Sequence, residues 1–181
     1  MEALSQVRVA ELTGMAPSNV SAYRAGRLVE GALVRSRLSL VARLPGDSSY
    51  RSRRYLTMPA LATQIRKMVR EDESESAMVR LLAQATTHFH RLQLPEDRDL
   101  FLAEPGTTRS QLWDACISAL AERLARQAGL ETPAWAMRLG SRLARWHWIC
   151  TPELRTVALR ETPGEFKARR VVLSSRNLNS V

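Results

Sequence analysis

Between residues 4 and 26 the chain reads LSQVRVAELTGMAPSNVSAYRAG, and the places of Ser5, Gly14 and Pro17 in it leave room for two short helices joined by a tight turn. Ser5 is an N-cap residue for a first helix running to about Thr13, because its hydroxyl can accept an unpaired N–H of the first turn. Gly14 can take the left-handed conformation that ends a helix. Met15 and Ala16 form the turn. Pro17 then suits the first position of a second helix, since it has no N–H to leave unsatisfied. That helix is expected to end near Gly26. Val9, Ala10, Met15 and Val20 would form the small core between the two helices. Ser18, Asn19, Ser21, Ala22 and Arg24 fall on or beside the outward face of the second helix, a face of the kind that can enter a major groove.

Composition favours a polyanionic partner. The 181 residues carry a net charge of +9 with a pI near 10.8, which fits double-stranded DNA better than a membrane surface. Residues 1–55 hold nine arginines against four acids, a net +5, so the excess is denser there than in the rest. Arginine outnumbers lysine 25 to 2. A planar fork suits phosphate and guanine, but a GC-rich genome produces the same bias and accounts for most of these arginines. Hydrophobic residues make up 45% of the chain, enough for a core. No run approaches the roughly 20 apolar residues of a membrane span, and no secretory leader is visible at the N-terminus. The expected location is the cytoplasm, in association with the nucleoid.

Leu4, Ser5, Gln6, Val9, Ala10, Gly14, Val20, Ser21 and Gly26 stand in the register of a known pattern. With the residues up to about 45, this segment resembles the Cro/CI (XRE)-type helix-turn-helix family of phage repressors and bacterial regulators. The resemblance implies DNA binding, with Gln6 reaching a phosphate and Ser18 and Asn19 at base-reading positions. Pro17 and Ala22 occupy further base-facing positions without a donor, so they offer only shape or thymine-methyl contact. Affinity then falls to phosphate contacts from Arg24, Arg27 and the arginines beyond the motif. The chain departs from the family in two ways. Only Met1–Ala3 precede Leu4, where the family has a covering helix, so either the true start lies upstream or another part of the chain covers the motif. Arg24 replaces a frequent glutamate, adding charge suited to phosphate and removing an internal ion pair.

Beyond the motif the pattern is helical. Glu30–Leu44 places Leu33, Val34, Leu38, Val41 and Leu44 at helical spacing and should pack beneath the motif. Ser48–Arg54, SSYRSRR, reads equally as a solvated linker and as a basic strip in which Arg51, Arg53 and Arg54 follow a phosphate backbone or a minor groove. Helices are expected over Met58–Arg70, Ser76–Leu92, Thr108–Gly129 and Pro152–Arg160. Thr108 lies at capping-box distance from Gln111, and Gly129 is a C-terminal signal. Leu94–Pro105 is a loop or a short helix. Arg138–Trp148 is a short helix or an irregular aromatic segment. Val171–Leu173 is the one plausible strand. The expected architecture is therefore all-α, with at most one short C-terminal strand. It comprises a helix-turn-helix over 1–46, a basic linker over 47–56 and a helical dimerisation or partner-binding part over 57–181.

No catalytic or cofactor signature is present: there is no G-x-S-x-G, H-E-x-x-H or Walker A pattern. Glu161 and Glu165 look like solvated helix charges. His88 and His90 would splay apart on a helix, and His147 with Cys150 has no second tight pair, so no metal site is expected. Cys116 and Cys150 are expected to be thiols in a reducing compartment, and buried. Of Trp135, Trp146, Trp148 and Phe166, at least two should be core, and the others suit a protein-binding patch.

Residues 100–181, through the Pro133–Trp135 turn, the Glu161–Phe166 segment and the basic stretch before the terminal strand, faintly resemble the regulatory partner in actinobacterial toxin–antitoxin pairs with nucleotidyltransferase-like toxins. That implies repression of its own operon and a toxin protein as partner. The competing readings are a stand-alone repressor, and an interaction module that has lost DNA binding.

Overall fold

The computed structural model describes residues 4–27, 31–139 and 142–179, and over these the chain is mostly helical. The first helix, α1 (Gln6–Thr13), is capped by Ser5, whose Oγ accepts from the Arg8 N–H at 3.2 Å, and it ends at Gly14 with φ +69°. α2 (Pro17–Arg24) opens on its proline, and Gly26 ends it with φ +68°. Val9, Ala10 and Val20 are buried between the two helices, with Met15 half-buried at their edge. α3 (Ala32–Ala42) packs against α1. The expected start of this helix at Glu30 lies outside the described residues, as do Met1–Ala3.

The rest is a helical body. It comprises α4 (Ser49–Ser52), α5 (Met58–Arg70), α6 (Glu75–His90), α7 (Pro95–Phe101), α8 (Gln111–Gln127), α9 (Ala134–Arg138), a 3-10 turn at Pro152–Leu154, α10 (Arg155–Glu161), α11 (Gly164–Ala168) and α12 (Arg176–Asn179). α5 and α8 are amphipathic as their periodicity predicts; Leu61 and Ile65 on α5, and Cys116, Ala119, Leu120 and Leu124 on α8, are fully buried. The cap of α8 differs from expectation. Thr108 does not pair with Gln111. Instead its N–H and Oγ1 donate to the Asp114 carboxylate at 2.7 Å each, and Thr107 Oγ1 donates to the same carboxylate at 2.6 Å. A charged acceptor in the first turn holds the incoming strand more strongly than a neutral amide would.

The strand expected at Val171–Leu173 is present as β2 (Val171–Val172). It pairs in parallel with β1 (His147–Trp148), His147 opposite Val171. A strand needs a partner for its N–H and C=O groups, and the aromatic segment before Ile149 supplies it. Arg169 locks this end: its guanidinium is buried and donates to Glu122 Oε2 at 2.7 Å, to the Glu165 carbonyl and to the Ala136 carbonyl.

The buried side chains form one cluster that runs from Val9 to Leu178. The reading of Ser48–Arg54 as a solvated linker is corrected by this packing. Ser48, Tyr50, Tyr55 and Leu56 are buried, and Ser48–Ser52 is anchored by Asp97, which accepts from Ser48 Oγ at 2.6 Å and from the Ser49 N–H at 2.8 Å. Burial and then the Asp97 charge hold the Tyr50 phenol well above its usual pKa, so it stays a neutral donor to the Leu56 carbonyl at 3.1 Å. The sequence signal was SSYRSRR, in which the one tyrosine outweighs the polar residues around it.

Candidate nucleic-acid interface

The outward face of α2 follows from how the helix is held. Val20 is its only fully buried residue. That leaves Pro17, Ser18, Asn19, Arg24 and Arg27 exposed, and Ser21 and Ala22 half-buried at the flank. The side chains of Gln6, Ser18, Asn19 and Arg27 have no hydrogen-bond partner among the described residues. Ala16 at the N-cap of α2 offers no side-chain acceptor, Pro17 has no N–H, and the Asn19 N–H donates to the Ala16 carbonyl at 3.0 Å, so in the first turn it is the Ser18 N–H that keeps its capacity for another acceptor. Arg24 reaches back to the Leu4 carbonyl at 3.4 Å and is otherwise directed to solvent. The structure thus brings Gln6, at the start of α1, and Pro17, Ser18, Asn19, Ser21 and Ala22 of α2 onto the outside of one two-helix unit, with Arg24 and Arg27 at its far end.

The three arginines expected on the strip after the motif separate. Arg51 is turned inward and donates to the Pro45 carbonyl at 2.7 Å and the Leu44 carbonyl at 2.9 Å, so it closes the end of the segment after α3. Arg53 and Arg54 are exposed. Arg51 is thus drawn to two carbonyls of the turn after α3, whereas the guanidinium groups of Arg53 and Arg54 stay in solvent.

Two arginines that the sequence did not single out fix the motif to the body. Arg8 donates through Nη2 to the Arg53 carbonyl at 2.8 Å, through Nε to the Tyr50 carbonyl at 3.4 Å and through Nη1 to Glu11 at 3.0 Å, and it lies over the Tyr50 ring. Arg37 is buried between α1 and the segment after α7. It donates to the Thr13 carbonyl at 2.8 Å and to the Glu104 carbonyl at 2.7 Å. Burial pushes its pKa down to about 10, and the guanidinium remains charged at neutral pH. Thr57 Oγ1 adds a third tie, to the Leu12 carbonyl at 2.6 Å. In sequence these two arginines are indistinguishable from their exposed neighbours; only the helical phase of Arg37, beside Leu33 and Val41, hinted that it faces inward.

No metal site assembles: among the described residues no group of three or more potential ligands converges. His88 Nδ1 accepts from the Leu56 N–H at 3.0 Å, His90 is exposed, and His147 pairs with Glu75 at 2.7 Å. Glu161 and Glu165 pair with Arg176 and Arg126. Trp135 and Phe166 are core, whereas Trp146 is 46% exposed. Cys116 is buried and Cys150 is half-buried, which corrects the expectation for the second. Among the described residues no helix is long and apolar enough to cross a membrane. No protein-family model matches the chain, and neither a curated protein nor a solved structure matches it.

Proposed function

We propose that this chain is a sequence-specific, double-stranded-DNA-binding transcriptional regulator without catalytic activity, working in the cytoplasm on the nucleoid. One observation carries the reading. α2 shows the outside a continuous face of unpartnered Ser18 and Asn19 beside Pro17 and Ala22, flanked by exposed Arg24 and Arg27, and it sits in a helix–turn–helix closed by a left-handed glycine. In this reading Ser18 and Asn19 contact base edges, with Ser21 at the flank. Gln6, Arg24, Arg27, Arg53 and Arg54 contact phosphates. The family's resemblance assigns the base-reading positions, and the net charge of +9 supplies the non-specific attraction. Two half-sites one helical turn apart call for a homodimer. The exposed Leu154 and Val157 of the Pro152–Glu161 segment are apolar surface suited to a protein partner.

The test is fluorescence anisotropy on DNA from the chain's own promoter against random DNA of equal length. Ser18→Ala and Asn19→Ala should each lose about 1–3 kcal/mol on the preferred site and little on random DNA. Log affinity should fall against log salt with a slope on the order of −5. Equal losses on both DNAs, or a flat salt response, would remove the reading. The finer assignment, an autoregulating antitoxin that also binds a toxin, rests on the resemblance of residues 100–181. Co-purification of the product of the neighbouring gene, with suppression of its toxicity, separates it from a stand-alone repressor.

A further inference from the structure

A cleft of about 420 Å³ lies between the helix–turn–helix and the body, with α1 and the turn on one side and α5, α6 and residues 54–56 on the other. This volume is within the range of small-molecule sites. The lining is mostly apolar: Ala10, Leu56 and Ala60 are buried in its floor and Met15 lies half-buried beside them. An occupant therefore needs a compact apolar body.

Charge decides the rest. Three ionisable residues other than tyrosine line the cleft: Arg8, Glu11 and Arg54. Arg8 and Glu11 form an ion pair at 3.0 Å, and the other donors of Arg8 go to backbone carbonyls, so this pair neutralises itself. Arg54 is exposed and has no hydrogen bond or ion pair among the described residues. Gln64 on α5 and Gln84 on α6 are exposed on the same side of the cleft as Arg54, and their amides are likewise unpartnered. An unpaired guanidinium with two amide donors, beside an apolar floor, matches a planar anionic head on an apolar body.

We infer that this cleft is a ligand site for small apolar monocarboxylic acids, the carboxylate held by Arg54 and the body lying on Ala10, Leu56 and Ala60. Such a ligand bridges the two parts that meet at Gly14. It also takes up a cation that the proposed regulator offers to phosphate, so ligand and DNA bind antagonistically. The site itself is independent of the DNA reading, because it is tested on protein alone.

The experiment is a titration of the full chain, labelled with ¹³C at its methionine methyls, with 1-naphthoate, and with 1-naphthylmethylamine as the cationic control. Naphthoate should shift the Met15 methyl resonance saturably, and the amine should not. Arg54→Gln and Gln84→Glu, both at exposed positions, should each weaken naphthoate by about tenfold without lowering the melting temperature. A Met15 resonance that does not respond, an amine that binds as well as the acid, or naphthoate binding unchanged in both variants overturns the proposal. A second titration in the presence of promoter DNA then reads the antagonism, and loss of DNA binding alone leaves the ligand site standing.

Discussion

Gly14 and Pro59 are packed so closely that a Cβ on Gly14 would lie 2.8 Å from the Pro59 carbonyl oxygen, and equally close to Thr63 Oγ1, which donates to that same carbonyl. The turn of the helix–turn–helix thus rests directly on the first turns of α5. Two requirements meet at one residue: φ is +69°, which costs an L side chain about 1–2 kcal/mol, and there is no space for a methyl group. Gly14→Ala should destabilise the whole chain by about 2 kcal/mol or more in urea unfolding. A neutral result would mean that α5 can retreat from the turn.

Arg51 and its two neighbours should part company on mutation. Arg51→Ala strips a charged donor from the Leu44 and Pro45 carbonyls and should cost about 1.5–3 kcal/mol. The double variant Arg53→Ala/Arg54→Ala should stay within about 0.5 kcal/mol of the parent. On DNA it should make the salt slope shallower by up to about 2. Thermal melts and anisotropy of the same preparations read both effects.

Arg37→Leu should be among the most destabilising single changes. Its guanidinium satisfies the Thr13 and Glu104 carbonyls in a buried place, and their loss should cost about 3 kcal/mol or more. Arg37→Lys can reach only one of them and should recover part of the loss. If Leu is tolerated as well as Lys, packing and not hydrogen bonding holds this joint.

Acid should loosen the joint at Leu56. Burial, then the charges of Arg91 and Arg8, hold His88 below its ordinary pKa of 6.5. The neutral ring accepts the Leu56 N–H through Nδ1. A histidine whose folded pKa is depressed gives its full stabilisation above the unfolded value and loses it as pH falls through the folded one. The urea midpoint should therefore fall as the pH drops below the ordinary histidine value of 6.5, and the fall should be smaller in His88→Gln. An identical pH profile in that variant would assign the effect to other groups.

The two thiols should react differently. Burial pushes the Cys116 thiol far up, away from the thiolate form, while Cys150 is half-buried at a surface hollow. An aromatic disulfide reagent should modify one thiol in the native chain and two in denaturant, with Cys150→Ser abolishing the native reaction.

Helix placement was legible because its causes are local. Ser5, Gly14 and Pro17 act within one turn of themselves, and the apolar stripes of α5 and α8 repeat at 3.6 residues. What was not legible depends on distant partners. Tyr50 sits in a polar, basic stretch, and only the arrival of Asp97, some fifty residues on, makes its surroundings an interior. Arg51 looks like Arg53 until the Leu44 and Pro45 carbonyls in the turn after α3 are in place. The exposed residues of α2 could be named from the sequence because they have no partners. The cleft behind them could not, since its two walls come from segments that are far apart in the chain.

The link from Arg37 to both Thr13 and Glu104 bears on the order in which the protein is made. The carbonyl that completes the Arg37 site is synthesised about seventy residues after that arginine. Contacts of such long sequence separation form late, because their loop-closure entropy must be met before they stabilise anything. The shorter ties of Arg8 to the Arg53 carbonyl and of Thr57 to Leu12 can therefore settle α1 first, and the Arg37 site closes only once residue 104 has arrived.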